Sequence, residues 1–192
     1  MTTNLSPAEG QLLLKIARQA IENTLQGEEL PPLDLEDFPP GLREPGACFV
    51  TLTLSGQLRG CVGSIEASRP LVQDVQDRDI AAAFGDPRFP PLTGPELEDL
   101  VIEVSALTKP EPLHYDSPQD LMESLRVGID GVILQYHFRR ATFLPQVWEK
   151  LPAPELFLSR LCQKMGLAPD AWQHDRMQVD VYQVEKFTEN VP

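Results

Sequence analysis

The stretch Ala47-Cys48-Phe49-Val50-Thr51-Leu52-Thr53-Leu54-Ser55-Gly56-Gln57-Leu58-Arg59-Gly60-Cys61-Val62-Gly63 decides the fold. Cys48, Val50, Leu52 and Leu54 alternate with Phe49, Thr51 and Thr53, the period-2 pattern of a strand with one face turned to a core. Ser55-Gly56 supplies a hairpin turn, and residues 57–62 return as the partner strand. Gly60 and Gly63 bracket Cys61 near the end of that strand, where a bulge or a close backbone approach is expected.

Upstream of the hairpin, Ser6-Pro7-Ala8-Glu9 is a capping box with Pro at the first helical position. Leu13, Ile16, Ala17, Ala20, Ile21, Thr24 and Leu25 then recur at helical spacing up to Gly27. Residues 30–46 hold Pro31, Pro32, Pro39, Pro40 and Pro45, which predicts an extended surface strap without a regular ladder. Downstream, Ser68-Arg69-Pro70 opens a second helix through Leu71, Val72, Val75, Ile80, Ala82, Ala83 and Phe84. Asp86-Pro87 and Pro90-Pro91 end it and display Arg88 and Phe89 on a stiff turn. A strand follows over 101–108, then a short helix capped by Ser117-Pro118-Gln119-Asp120. The turn 128–131 leads into a strand over 132–136, with a second hairpin near residues 137–139. Pro145 suits a helix start, Pro154-Glu155 begins another helix with Gly166 as its C-cap, and residues 178–187 close the chain as one strand. Hairpin-separated strands mixed with helices, lacking a regular βαβ alternation, predict an α+β fold with mainly antiparallel sheet.

The composition, 42% hydrophobic and 23% charged over 192 residues, is that of a globular protein with room for one core or two small subdomains. Sixteen Lys and Arg against 29 Asp and Glu give a formal charge of −13, which argues against nucleic acid or an anionic membrane as partner. Cys48, Cys61 and Cys162 are widely spaced, without a C-x-x-C or a His pair, so neither a disulfide framework nor a zinc site is signalled. Residues 1–4 lack the features of an export signal and no apolar run is long enough to span a bilayer; the expected location is cytoplasmic.

Cys61 is the candidate catalytic residue: flanking glycines leave backbone N–H groups accessible, and Arg59 places positive charge nearby, conditions that lower a thiol pKa. The competing reading is a small buried hydrophobe in a sheet. Arg59 and Arg88 are candidates to hold a carboxylate or phosphate through a bidentate fork, although each could equally pair with Asp86, Asp130 or another carboxylate. Asp130, in Gly128-Ile129-Asp130-Gly131, is either a site carboxylate or a turn residue. His114, His137 and His174 are the only imidazoles, and a Cys–His mechanism would have to recruit one of them across the fold. Dinucleotide, P-loop, H-E-x-x-H and G-x-S-x-G signatures are absent, so no cofactor or metal is assigned.

Leu58-Arg59-Gly60-Cys61-Val62-Gly63, Ala81-Ala82-Ala83-Phe84-Gly85-Asp86-Pro87-Arg88-Phe89, Gly128-Ile129-Asp130-Gly131, and Phe143-Leu144-Pro145-Gln146-Val147-Trp148 resemble, in this order, the AmmeMemoRadiSam system protein A family. Phe157-Leu158-Ser159-Arg160-Leu161-Cys162-Gln163-Lys164-Met165-Gly166-Leu167 extends the match, and Val62 stands where that family usually has Ile. The resemblance, to a family named for a chromosomal region linked to the AMME syndrome, covers nearly the whole of chain 1–192. It implies two unequal subdomains, each with an antiparallel sheet flanked by helices. The larger is built from both chain ends and the smaller from an internal segment, with a groove carrying Arg59, Gly60 and Gly63. It further implies a ligand-binding set of Arg59, Gly60, Gly63, Asp86, Arg88, Phe89, Asp130 and Gln146. Its companions would be a Memo-like protein and a radical-SAM enzyme.

Two functional expectations follow. The first is a binding component that presents the Arg59 to Gly63 segment, Arg88-Phe89 and the Pro145-Gln146-Val147-Trp148 surface to a partner or a small ligand. The second is a cysteine-dependent enzyme acting on an anionic small molecule, with Cys61 as nucleophile or covalent carrier.

Overall fold

Ser6 opens α1, Pro7–Gln26, through a reciprocal cap: the Glu9 amide donates to the Ser6 hydroxyl at 3.3 Å, and the Ser6 amide donates to the Glu9 carboxylate at 2.8 Å. Gly27, at φ +72°, ends the helix in the left-handed conformation expected of a C-cap glycine. This computed structural model describes residues 5–30 and 32–189; residues 1–4, read above for an export signal, and Pro31 of the strap lie outside the described residues. Among the described residues no helix is long and apolar enough to cross a membrane.

The strap differs from expectation. It winds into a 3-10 turn, Leu35–Asp37, capped by Asp34, and then into α2, Pro40–Arg43. Pro39 and Pro40 sit where a helix start tolerates them, and the turn drives Leu42 into complete burial. β1, Pro45–Leu54, follows, with Cys48, Val50 and Leu52 fully buried as the alternation requires. Ser55 and Gly56 both take positive φ, a type I′ turn, and β2, Gln57–Gly63, returns antiparallel. The register slips between Leu52 and Thr53, which face Gly60 and Leu58, so Arg59 is the extra residue of a bulge.

Arg69–Pro70, expected to open the second helix, instead forms the two-residue strand β3 against the start of β1; α3 begins one residue later, Leu71–Ile80. The helix continues as a π-helical turn, Ala81–Gly85, and stops at Asp86-Pro87. β4, Leu100–Leu107, pairs antiparallel with β1 over its whole length. Helices α1 and α3 supply Leu13, Leu14, Ala17, Ile21, Val72 and Val75 to a core shared with Val50, Leu52, Ile102 and Val104. Full burial of each such Val, Leu or Ile side chain stabilises by about 1.5–3 kcal/mol.

The chain separates by contacts into two units, Met1–Thr108 with Glu185–Pro192, and Lys109–Val184. The second unit holds β5, Glu111–Pro112, α4, Pro118–Ser124, β6, Gly131–Tyr136, and β7, Arg139–Phe143. A 3-10 turn, Pro145–Glu149, leads to α5, Pro154–Lys164, α6, Ala171–His174, and β8, Gln178–Tyr182. Its strands run in the order β5-β8-β6-β7, every pair antiparallel. Phe157, Leu158, Leu161 and Cys162 of α5 pack on Val132, Leu134 and Val179.

The single closing strand expected over 178–187 is two strands. After β8 the chain passes through Gln183 into β9, Val184–Thr188, which joins the first sheet beside β4. The first sheet therefore runs β2-β1-β4-β9, with β3 on the end of β1.

Candidate functional site

β2 is an edge strand, and an edge leaves unpaired N–H and C=O groups that another chain could join. At Cys61 both groups are taken by side chains of the segment that follows the π turn. The Cys61 amide donates to Asp86 Oδ2 at 2.9 Å, and Arg88 Nη2 donates to the Cys61 carbonyl at 3.2 Å. Asp86 and Arg88 are themselves joined by two bonds, Nε to Oδ1 at 2.9 Å and Nη2 to Oδ2 at 2.6 Å. The Arg88 amide adds a third to Oδ1 at 3.1 Å. An Asp–Arg pair thus stands in for a neighbouring strand across one residue. The Arg88 guanidinium, and after it the Cys61 N–H, hold the Asp86 carboxyl well below the usual carboxylate range. The same pairing with Asp86 raises the Arg88 pKa, with a smaller contribution from Cys61.

The glycines of the segment are explained by contact. A Cβ on Gly60 would overlap the Ala82 carbonyl oxygen and lie 3.0 Å from its carbon, because the π turn packs its backbone directly on β2. A Cβ on Gly63 would fall 2.5 Å from the Cys48 carbonyl oxygen and 2.3 Å from Cγ of the Phe49 ring.

Arg59 does not offer the anion fork expected of it. Its Nε donates to Glu96 Oε1 at 2.7 Å and its Nη2 to Oε2 at 3.2 Å, while Nη1 and Nη2 reach the Pro90 and Pro91 carbonyls at 2.9 and 3.3 Å. That pairing, led by the Arg59 hydrogen bonds, lowers the Glu96 pKa to about 2. Arg88 is different: its side chain is 53% exposed, with its guanidinium carbon 5.4 Å from the Phe89 ring centroid.

Cys61 is half-buried and accepts a hydrogen bond from the Thr51 hydroxyl at 3.4 Å. The register puts Thr51 between Cys61 and Glu103, on the face away from Val50 and Leu52. Glu103 in turn meets the Lys186 ammonium at 3.6 Å and accepts from Ser105 and Thr188 at 3.4 and 3.5 Å. This polar row was not found from sequence, since only the register between β1 and β4 aligns it. The other two thiols are of another kind. Cys48 is buried and donates through Sγ to Asp74 at 3.4 Å, and burial followed by the Asp74 charge pushes its pKa well up. Cys162 is buried and likewise raised, chiefly by desolvation.

Asp130 and Gln146 belong to the second unit. Asp130 is buried and accepts from the Arg126 amide at 2.9 Å and from its guanidinium at 2.5 Å, which fixes the turn before β6. Its carbonyl accepts the Trp148 indole N–H at 2.7 Å. Trp148, expected on a presented surface, is 2% exposed and stacks on Phe157 at 3.7 Å and 9°. Gln146 Oε1 is buried without a hydrogen-bond partner among the described residues. His137 takes the positive φ of a tight turn, at +53°, and is exposed.

The fold and site together define an α+β protein of two antiparallel sheets in which a glycine-flanked cysteine strand is locked by an Asp-Pro-Arg turn. The AMMECR1 family model matches residues 14–187. A Methanothermobacter thermautotrophicus protein is 42% identical over 191 residues, covering 97% of both chains; one from Thermofilum pendens is also 42% identical, covering 98% of this chain and 93% of its own. The crystal structure of an uncharacterized protein from Pyrococcus horikoshii superposes with a TM-score of 0.82 at 36% identity, covering 98% of this chain and 95% of that one. This chain belongs to the AMMECR1 family.

Proposed function

We propose that this chain is a non-catalytic binding component that acts with a Memo-like protein and a radical-SAM enzyme, presenting Arg88 and Phe89 beside Cys61 to a partner or to a small anionic ligand. The observation that carries the reading is the state of Arg88. Its guanidinium is tied along one side to Asp86 and the Cys61 carbonyl, yet it remains half exposed over Phe89. A cation held in one orientation loses little side-chain entropy on binding, and Arg with an aromatic neighbour is the composition of an interface hot spot. The hydrogen-bond partner of the Cys61 sulfur is the Thr51 hydroxyl, a group too weakly basic to activate a thiol.

Calorimetric titration of the purified chain with each companion protein tests this. A Kd in the micromolar range or below is expected, with Phe89→Ala, which leaves the Asp86–Arg88 pair in place, weakening it about 30-fold, roughly 2 kcal/mol. Absence of heat with both companions at tens of micromolar, together with a turnover abolished by Cys61→Ser, refutes it.

One feature favours the second reading, a cysteine-dependent enzyme with Cys61 as nucleophile or covalent carrier. Cys61 is the half-buried thiol of the three and stands within electrostatic reach of Arg88.

A further inference from the structure

Two carboxylates lie on the buried face of α3, and only one is provided for. Asp74, fully buried, accepts from the Cys48 amide at 3.2 Å, from its thiol at 3.4 Å and from Arg78 Nε at 3.2 Å. Asp79, also fully buried, has no hydrogen-bond partner on either oxygen among the described residues. A buried carboxylate left this way is costly in its charged form.

Its surroundings suggest a use. The titratable or charged groups that reach Asp79 are Arg18 from α1, Glu189 just after β9, and Cys48 from β1. Arg18 closes on Glu189 through Nη2 and, at 3.0 Å, through Nε, and donates to the Leu97 and Leu100 carbonyls at 3.0 and 2.7 Å. Glu189 also accepts the Ile102 amide at 3.0 Å and donates its own amide to the Ile102 carbonyl at 3.0 Å. The end of β9 is therefore anchored to β4 and α1 through one ion pair, with a third ionisable group buried nearby.

We propose that Asp79 is a proton-operated release for the C-terminal end of β9: with the proton on, Arg18 stays closed on Glu189; with it off, Asp79 draws on the Arg18 guanidinium and the anchor loosens. Desolvation, opposed by Arg18 and aided by Glu189, raises the Asp79 pKa well above the ordinary value. The unfolded chain ionises this group near pH 4, while the folded chain keeps the proton until its raised value. Stability is therefore greatest below the unfolded pKa, falls about tenfold in equilibrium constant per pH unit above it, and levels off beyond the folded pKa.

The test is amide hydrogen exchange of the chain between pH 5 and 9, expressed as protection factors, with Asp79→Asn beside it. In the native sequence, protection of the Ile102 and Glu189 amides should fall at least tenfold further than that of the middle of α1 as pH rises, the loss in α1 reporting the global term alone; Asp79→Asn should keep β9 protected throughout. Protection that is flat in both chains, falls equally in both, or falls evenly across α1 and α3 overturns the release. If Asp79→Asn does not fold, the carboxyl carbon of Asp79 is titrated by NMR in the native sequence. A midpoint matching the loss of β9 protection supports the release, and separate midpoints overturn it.

Discussion

Replacing Gly60 with Ala adds a single methyl group, and the geometry sets what that costs. The new Cβ would sit about 1 Å inside ordinary contact with the Ala82 carbonyl oxygen, and at 3.0 Å from the carbonyl carbon. Both sides of the clash are backbone: β2, held to β1 by its ladder, and the π turn, whose Ala83 carbonyl accepts the Leu92 amide at 2.8 Å. Overpacking of this kind costs about 1–3 kcal/mol, and with no flexible side chain to yield the upper end applies. Moving the π turn also carries Asp86 away from the Cys61 amide, and a hydrogen bond to a charged group contributes about 1.5–3 kcal/mol. Because the two losses share one displacement they do not add in full, and about 3–4 kcal/mol is expected. Gly85→Ala, in the same π turn with open space at its Cβ, is the internal control and should change stability by less than about 1 kcal/mol. Urea denaturation followed by far-UV circular dichroism gives both values, and exchange of the Cys61 amide reports the lock itself. If Gly60→Ala costs no more than Gly85→Ala, the packing of the π turn on β2 is not what that glycine serves.

Alkylation of the folded chain by iodoacetamide at pH 8, mapped by mass spectrometry, should label Cys61 well before the two buried thiols, whose pKa values are raised. Comparable labelling of Cys48 or Cys162 would contradict their burial. Trp148→Ala should cost about 3–5 kcal/mol by urea titration read from Trp172 fluorescence, since it removes the stack on Phe157 and the donor to the Asp130 carbonyl. A cost below about 1 kcal/mol would place that segment at the surface after all.

The hairpin and α1 were legible because their signals are local: alternation around a Ser-Gly turn, and a capping box six residues into the chain. The break between β8 and β9 was not. Strand-forming residues, Val179, Val181, Tyr182, Val184 and Phe187, run through the join, and Gln183, neither Gly nor Pro, leaves no mark in composition where the chain changes sheets. For the site, the Asp86–Arg88 pair is two residues apart and within reach of a sequence reading. The fate of Arg59 is settled by Glu96, 37 residues away. Asp74 and Asp79 were hidden because a helical reading assigns polar positions to solvent, and α3 turns two of them inward.

The change of sheets at Gln183 bears on how such a chain can be cut and rejoined. The second unit starts and finishes on adjacent strands, Glu111 paired with Val181 and Pro112 with Asp180, so its two ends emerge side by side. In the first unit the flanking strands β4 and β9 are likewise neighbours. An entire sheet with its helices thus occupies the place of a connection between two adjoining strands, an arrangement in which the inserted segment can vary without altering the order of the host sheet.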